Sequence, residues 1–404
     1  MTEDKATDAC LPVVDRARAI LHAGPICDDC LGRAFARLGH GLSNGERGRA
    51  ARRLASQAGT VGRPGTCWVC QGLFDQVGDW ADRAASLTRG IEHDTYLVGV
   101  HLSPRLEEAE RLFAERFGAD LSEPLRHAFN REVGKAYEKL LGRGTVALEH
   151  PHVWFTVDLR DGSVALRVAS LYVYGRYRKL ARDIPQTHWP CRRCRGRGCE
   201  ACGGTGKRYP ESVEELISGP FVEASQASAA VLHGAGREDI DARMLGTGRP
   251  FVLELVAPHR RSLDLRGLEA AANRVARGRV EIASLRLVSP DVVGRIKEAA
   301  AEKVYVALVQ FAEEVSEERL RRALGRLLGP IEQETPRRVL EIEGDLLAPG
   351  QARLTLRCEG GLYVKELVSG DEGRTSPSLS GTLGIPARVL ELDVMSVTSD
   401  QFPA

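Results

Sequence analysis

"GREDIDARMLGTGRPF", residues 236–251, sets the acids Glu238, Asp239 and Asp241 among Arg237, Arg243 and Arg249, with glycines at 236, 246 and 248. It runs straight into the apolar "FVLELV" at 251–256, so it reads as a charged loop feeding a buried strand. A charge-rich turn is ordinarily a solvated surface. Whether one of these carboxylates does chemistry depends on what the rest of the chain places around it. The glycines do not make a phosphate-binding loop. Such a loop follows a strand and opens a helix, whereas here Pro250 and a strand come next. With no Walker A lysine motif either, no organic nucleotide cofactor is expected.

Downstream the pattern is β-rich. Strand candidates are "FVLELVA", "RVEIASLRLV", "KVYVALVQF", "RRVLEIEG", "ARLTLRCEG" and "RVLELDVMSV". Helices such as "LRGLEAAANRVA" and "SEERLRRALGRLL" separate them, the latter with Leu320, Leu324 and Leu327 on one face. Upstream, the first ninety residues read as mostly helical, with Ser43 and Glu46 forming a capping box. From about residue 92 strands return: Tyr96, Val98, Val100 and Leu102 alternate, and a helix capped by Ser122 carries Leu125, Phe129, Val133, Tyr137 and Leu141. Val153 to Leu159 and Val164 to Val168 form a hairpin about Asp161-Gly162. The expected class is α+β, in three parts. These are a helical region at 1–90, a small α/β domain at 91–210 that includes a cysteine module, and a mixed or antiparallel sheet domain at 211–404.

The 404 residues carry a net charge of +1, so any attraction for nucleic acid must be local. No run approaches the roughly 20 apolar residues of a membrane span, and the start lacks a signal-peptide pattern; a cytoplasmic protein is expected. Residues 175–208 hold ten Lys and Arg against two acids, a net of +8. Arg176, Arg178, Lys179 and Arg182 open that stretch and are the candidate RNA contacts. Eight of the ten cysteines fall in C-x-x-C pairs, which in a reducing compartment read as metal ligands. Cys191, Cys194, Cys199 and Cys202 lie in "CRRCRGRGCEACGGTG". Cys27 and Cys30 are separated from Cys67 and Cys70 by 36 residues. Each set of four thiolates suits one structural zinc, since it leaves no open position for water.

Two further stretches stand out: "EKVYVALVQF", with Lys303 and Tyr305 on a strand, and "GGLYVKELVSGDEGRTSPSL", with Tyr363 and Lys365 after a glycine pair. Together with the opening loop they resemble the pseudouridine synthases, in which a glycine-arginine step precedes an aspartate. The order "CDDCLGR", "YGRYRKLARDIPQT", "SVEELI", "REDIDARMLGTGRPF", "GRTSPSL" is similar to the archaeal and eukaryotic Pus-ten branch over most of the chain. The doubled cysteine set marks an archaeal subset. This resemblance implies a THUMP-like accessory fold, a pseudouridine synthase domain, and isomerisation of uridines 54 and 55 in the TΨC arm of tRNA. It implies Asp239 as the catalytic residue, with Asp241 as second choice and Glu238 structural. Tyr305, Tyr363, Lys365 and Arg237 would bind substrate.

The chemistry agrees. Pseudouridine formation breaks C1′–N1 and rejoins the ring through C5 without net redox. An aspartate with a pKa of about 3.9 is already ionised to act at the sugar carbon, whether by attack on C1′ or through a glycal. A lysine can orient it, and a tyrosine can stack on a flipped base. The competing readings are a THUMP-bearing tRNA enzyme of other chemistry, such as a methyltransferase or thiolase, and a non-catalytic zinc RNA-binding protein. The first needs a cofactor loop that the sequence lacks. The sequence gives no sign of a protein partner.

Overall fold

The computed structural model describes residues 4–38, 41–60, 62–142, 144–400 and 402, with the side chains of 4–12 excepted. The chain divides into two compact units, Met1–Ala169 and Ser170–Ala404. No helix among the described residues is long and apolar enough to cross a membrane.

The first unit opens with helices α1 (Asp4–Ala23), α2 (Asp28–Arg33), α3 (Asn44–Gln57) and α4 (Val77–Leu87). It continues through β1 (Thr95–His101), α5 (Pro104–Phe117), α6 (Leu125–Leu141), β2 (Thr145–Val146), β3 (Val153–Asp158) and β4 (Ser163–Val168). The sheet order is β2-β1-β3-β4, parallel except for the β3–β4 hairpin. Residues 1–90 do not form a region apart from the α/β part. One core joins them, with Trp68 against Phe113 (6.0 Å between ring centroids) and Phe74 against Phe129 (6.4 Å). The α6 helix begins at Leu125 with Pro124 as its cap, not Ser122. The Glu110 carboxylate takes the Leu125 N–H at 3.0 Å and so does the work of a cap.

The second unit contains β5 (Leu171–Lys179), α7 (Val213–Ser225), β6 (Ala229–Gly234), β7 (Arg243–Val256), α8 (Leu265–Val275), β8 (Val280–Val288) and α9 (Asp291–Glu298). There follow β9 (Glu302–Phe311), α10 (Glu317–Gly325), β10 (Gly329–Ile331), β11 (Arg337–Ala348), β12 (Gln351–Cys358), α11 (Val364–Ser369), α12 (Leu379–Leu383) and β13 (Ala387–Thr398). The strands form one sheet in the order β10-β11-β12-β9-β13-β7-β5-β8, with β6 also on β7. Six of them are the strands expected from alternation. The boundary expected at residue 210 moves to 169/170. β5 pairs antiparallel with both β7 and β8, so it and the following cysteine module are built into this sheet unit rather than the accessory domain. Its inward positions Val173 and Tyr177 belong to the second core, and that burial overrides its sequence proximity to the first domain.

The sheet explains the glycines of "LGTGRPF". A Cβ on Gly246 would lie 2.1 Å from the Met395 carbonyl oxygen, and one on Gly248 would lie 2.8 Å from that of Tyr177. Both residues have positive φ, +50° and +71°. These glycines let β7 thread between β13 and β5.

Candidate active site

The loop 235–242 joins β6 to β7 and is gripped from beneath. Glu238 turns inward, its side chain 1% exposed. It accepts hydrogen bonds from Tyr177 Oη at 2.8 and 3.1 Å and from Arg249 Nε at 2.8 Å. Lys179 Nζ lies 3.7 Å from it and donates to the carbonyls of Ile184, Asp239 and Ile240 at 2.9–3.1 Å. Arg249 also donates to the Ala235 carbonyl at 2.7 Å, and Gln186 Nε2 to that of Gly236 at 2.9 Å. Buried polar groups that are all partnered fix one conformation of the backbone they hold. Glu238 is thus the structural acid that the sequence suggests, and it leaves its neighbours facing outward.

Asp239 and Asp241 are 60% and 62% exposed and converge on one ammonium. Lys365 Nζ sits 3.0 Å from Asp239 Oδ2 and 2.8 Å from both carboxylate oxygens of Asp241. Partial burial pushes the lysine pKa down, but hydrogen bonds to the two carboxylates outweigh it and the net direction is up. Desolvation likewise opposes ionisation of Asp241, and Lys365 overrides it to hold that carboxyl below its usual range. Lys365 reaches the loop because "VKELVS" forms the short helix α11 with Tyr363 at its N-cap.

A cavity of about 430 Å³ opens beside this cluster, lined by Arg237, Asp239, Lys303, Tyr305, Tyr363 and Lys365 among others. Tyr305 is buried on β9, and burial holds its phenol well above the ordinary range. Tyr363 is 53% exposed, its backbone N–H tied to Gln333 Oε1 at 3.1 Å. Arg237 is exposed at the rim. Asp241 does not line this cavity. It borders a smaller one of about 290 Å³, with Gln186 and Trp189, which Asp239 also lines. All five residues that the sequence assigns to catalysis or substrate are therefore brought to one cavity. What the sequence reading missed is the supporting set Tyr177, Lys179, Gln186 and Arg249. The signal for Lys179 was present: it occupies the inward position of the alternation Leu171, Val173, Gly175, Tyr177.

The basic segment corrects an expectation. Lys179 is fully buried under the loop and cannot meet a phosphate. Arg176 donates to the carbonyls of Thr247, Gly248 and Val397. Arg178 pairs with Glu281. Arg182 bonds the carbonyls of Asp241 and Leu392 and the carboxylates of Glu391 and Asp393. Each of these guanidinium groups and the ammonium answers a carbonyl or carboxylate of the fold itself. Arg178 is exposed even so, and further exposed cations of the segment follow, among them Arg192, Arg193 and Arg195 around the cysteines.

Both cysteine sets converge. Cys27, Cys30, Cys67 and Cys70 form one group and Cys191, Cys194, Cys199 and Cys202 another, the sulfurs of each within 4.8 Å of one another. A tetrahedron with metal–sulfur arms of about 2.3 Å has sulfur–sulfur edges of about 3.8 Å. Cys27 to Cys70 is 3.6 Å, and contacts in the second group are 3.7–4.0 Å, so both could hold a metal ion.

Residues 172–398 match the family model "Pus10, C-terminal". The chain belongs to the Pus10 family. Residues 80–158 match the archaeal Pus10 THUMP domain, which lies wholly within the first unit. The tRNA pseudouridine synthase Pus10 of Methanothrix thermoacetophila is 44% identical over 98% of this chain and 97% of its own length. That of Halorubrum lacusprofundi is 44% identical over 97% and 98%. Among solved structures, the archaeal box H/ACA sRNP Nop10–Cbf5 complex aligns over 45% of this chain and 42% of that chain, at 18% identity and a TM-score of 0.28. As a Pus10 member the protein is an isomerase of the pseudouridine synthase type.

Proposed function

We propose that this Pus10 protein isomerises uridine to pseudouridine in tRNA, at uridines 54 and 55 of the TΨC arm, with Asp239 as nucleophile and no organic cofactor. The tRNA substrate follows the names of its near full-length relatives, and the two positions follow the family resemblance. The observation that carries the assignment of Asp239 is the convergence of its carboxylate, the Lys365 ammonium and Tyr305 on one cavity. Asp241 shares the lysine but does not line that cavity.

The target uridine leaves its stack and enters with its ring against Tyr305. Lys365 orients the Asp239 carboxylate through its 3.0 Å ion pair. The carboxylate adds to C1′ as the C1′–N1 pair departs with the uracil. The ring turns, C5 bonds to C1′ and the carboxylate leaves; C5 then loses its proton and N1 gains one. Atoms and electrons balance with no co-reactant.

The two cysteine groups would hold structural zinc, which supplies cross-linking of distant turns and no step of the reaction. Reduced thiolates and a tRNA substrate both suit a cytoplasmic protein.

Release of tritium from uridine C5 in labelled tRNA tests this reading. Wild-type protein releases it, and Asp239→Asn does not while keeping tRNA affinity within a few-fold, because phosphate contacts dominate affinity. Normal turnover by Asp239→Asn with a dead Asp241→Asn would move the assignment to the second acid.

A further inference from the structure

Arg237, Lys303 and Lys365 line the active-site cavity, with Arg237 exposed at its rim. Lys365 is held by Asp239 and Asp241, and Arg249 by Glu238 and the Ala235 carbonyl. Arg337, in the adjoining space, donates to the Gly360 and Pro336 carbonyls. Lys303 differs. It is partly buried on β9, opposite Cys358 of β12 and Val397 of β13, and its ammonium makes no hydrogen bond or ion pair among the described residues. It lines the 430 Å³ cavity together with Asp239 and Tyr305, and also a neighbouring cavity of about 620 Å³. Lys303 and Tyr305 are two apart on one strand and so share a face. A desolvated ammonium with no hydrogen-bonded counter-charge is costly to keep. A site that retains one is built for negative charge that arrives with the substrate or develops during the reaction.

Such charge does develop here. When C1′–N1 breaks, its electron pair stays on the uracil ring, spread over N1, O2 and O4. Lys365 is committed to the carboxylate on the sugar side, and Tyr305 contributes a ring face. We propose that Lys303 contacts the uracil and stabilises the negative charge released onto it between C1′–N1 cleavage and C5–C1′ bond formation. The lysine keeps its proton throughout. The pair returns from the ring into the new C–C bond, and the C5 proton leaves as before. This inference rests on the assignment of the Asp239 cavity as the pseudouridine-forming site.

The charge of Lys303 is also titratable near neutrality. Burial, and next the Arg249 guanidinium, bring its pKa down to about 8, against the pull of Cys358 and Glu238. The groups facing it are Arg249 from β7, Glu238 from the loop, Arg337 from β11, Cys358 from β12 and Tyr305 from its own strand. Burial pushes the Cys358 thiol up to about 12 and the Tyr305 phenol higher still, so neither loses its proton where Lys303 does. Loss of the Lys303 proton is expected to lower kcat/KM above about pH 8, and the Lys303→Arg profile separates this from ionisation of the uridine itself.

The test uses full-length protein and C5-tritiated tRNA under single-turnover conditions, with tRNA affinity and thermal unfolding measured on the same samples. Lys303→Met lowers the rate roughly 10²–10³-fold while affinity stays within a few-fold. Lys303→Arg keeps most of the activity and moves the alkaline fall upward, a change that a merely structural lysine would not produce. Should Lys303→Met fold poorly, the arginine variant and the wild-type pH profile carry the test. A Met variant at the wild-type rate overturns the proposal. So does one that loses only affinity with a flatter salt dependence, since Lys303 would then pair with a phosphate. No tritium release from wild-type protein would instead overturn the reading of the site itself, and this inference with it.

Discussion

Two adjacent acids in the loop have opposite fates, and their surroundings decide which. Glu238 is enclosed by Arg249, Lys179 and Tyr177, whereas Asp239 faces the cavity under Lys365. Replacing Glu238 by Gln removes the one anion between two buried cations. Breaking a buried pair of this kind costs about 3–5 kcal/mol, so Glu238→Gln should unfold at markedly lower denaturant than wild type. Its activity should fall further than its tRNA affinity, because the loop loses its anchor before any phosphate contact is disturbed. Asp239→Asn, with its exposed side chain, should unfold like wild type. Equal midpoints for Glu238→Gln and wild type in urea would contradict the anchoring role.

Among the elements, β5 and the module after it carry the largest revision. The basic composition of this stretch suggested a phosphate-gripping surface, but Arg176, Arg178, Lys179 and Arg182 hold strand ends and the 235–242 loop together. Most of the exposed positive charge lies in and after the cysteine turns. Arg192→Ala, Arg193→Ala and Arg195→Ala together should weaken tRNA binding at moderate salt. They should also flatten log affinity against log salt by roughly 0.7–0.9 per lost phosphate contact. Turnover at saturating tRNA should change little. An unchanged salt slope would place the phosphate contacts on another surface.

For the molecule as a whole, each compact unit has its own four-cysteine group. Freshly prepared protein should contain two zincs per chain by elemental analysis. The groups differ in depth: Cys30, Cys67 and Cys70 are buried in the first core, while Cys199 and Cys202 are only partly covered. Because metal binding and folding are coupled, a mild chelator should strip the 191–202 site first, leaving the first unit's unfolding transition in place. Strong chelation should abolish that transition too. One zinc or fewer in reduced protein, or loss of both at the same chelator strength, would contradict this account.

Local spacing was enough for much of this. The period-2 runs mark the six long strands after residue 250, the C-x-x-C pairs mark both thiolate groups, and the order of short motifs marks the family; each signal is complete within a few neighbouring residues. Long-range packing decided the rest. β5 lies near the THUMP region in sequence but finds its hydrogen-bonding partners at residues 243–256 and 280–288, so the domain boundary depended on strand pairing that alternation cannot report. A lysine reads the same in sequence whether it meets solvent, carbonyls or an empty cavity. Lys179, Lys365 and Lys303 became a loop anchor, a carboxylate clamp and an unpaired cation only through the chain segments that folding brought against them.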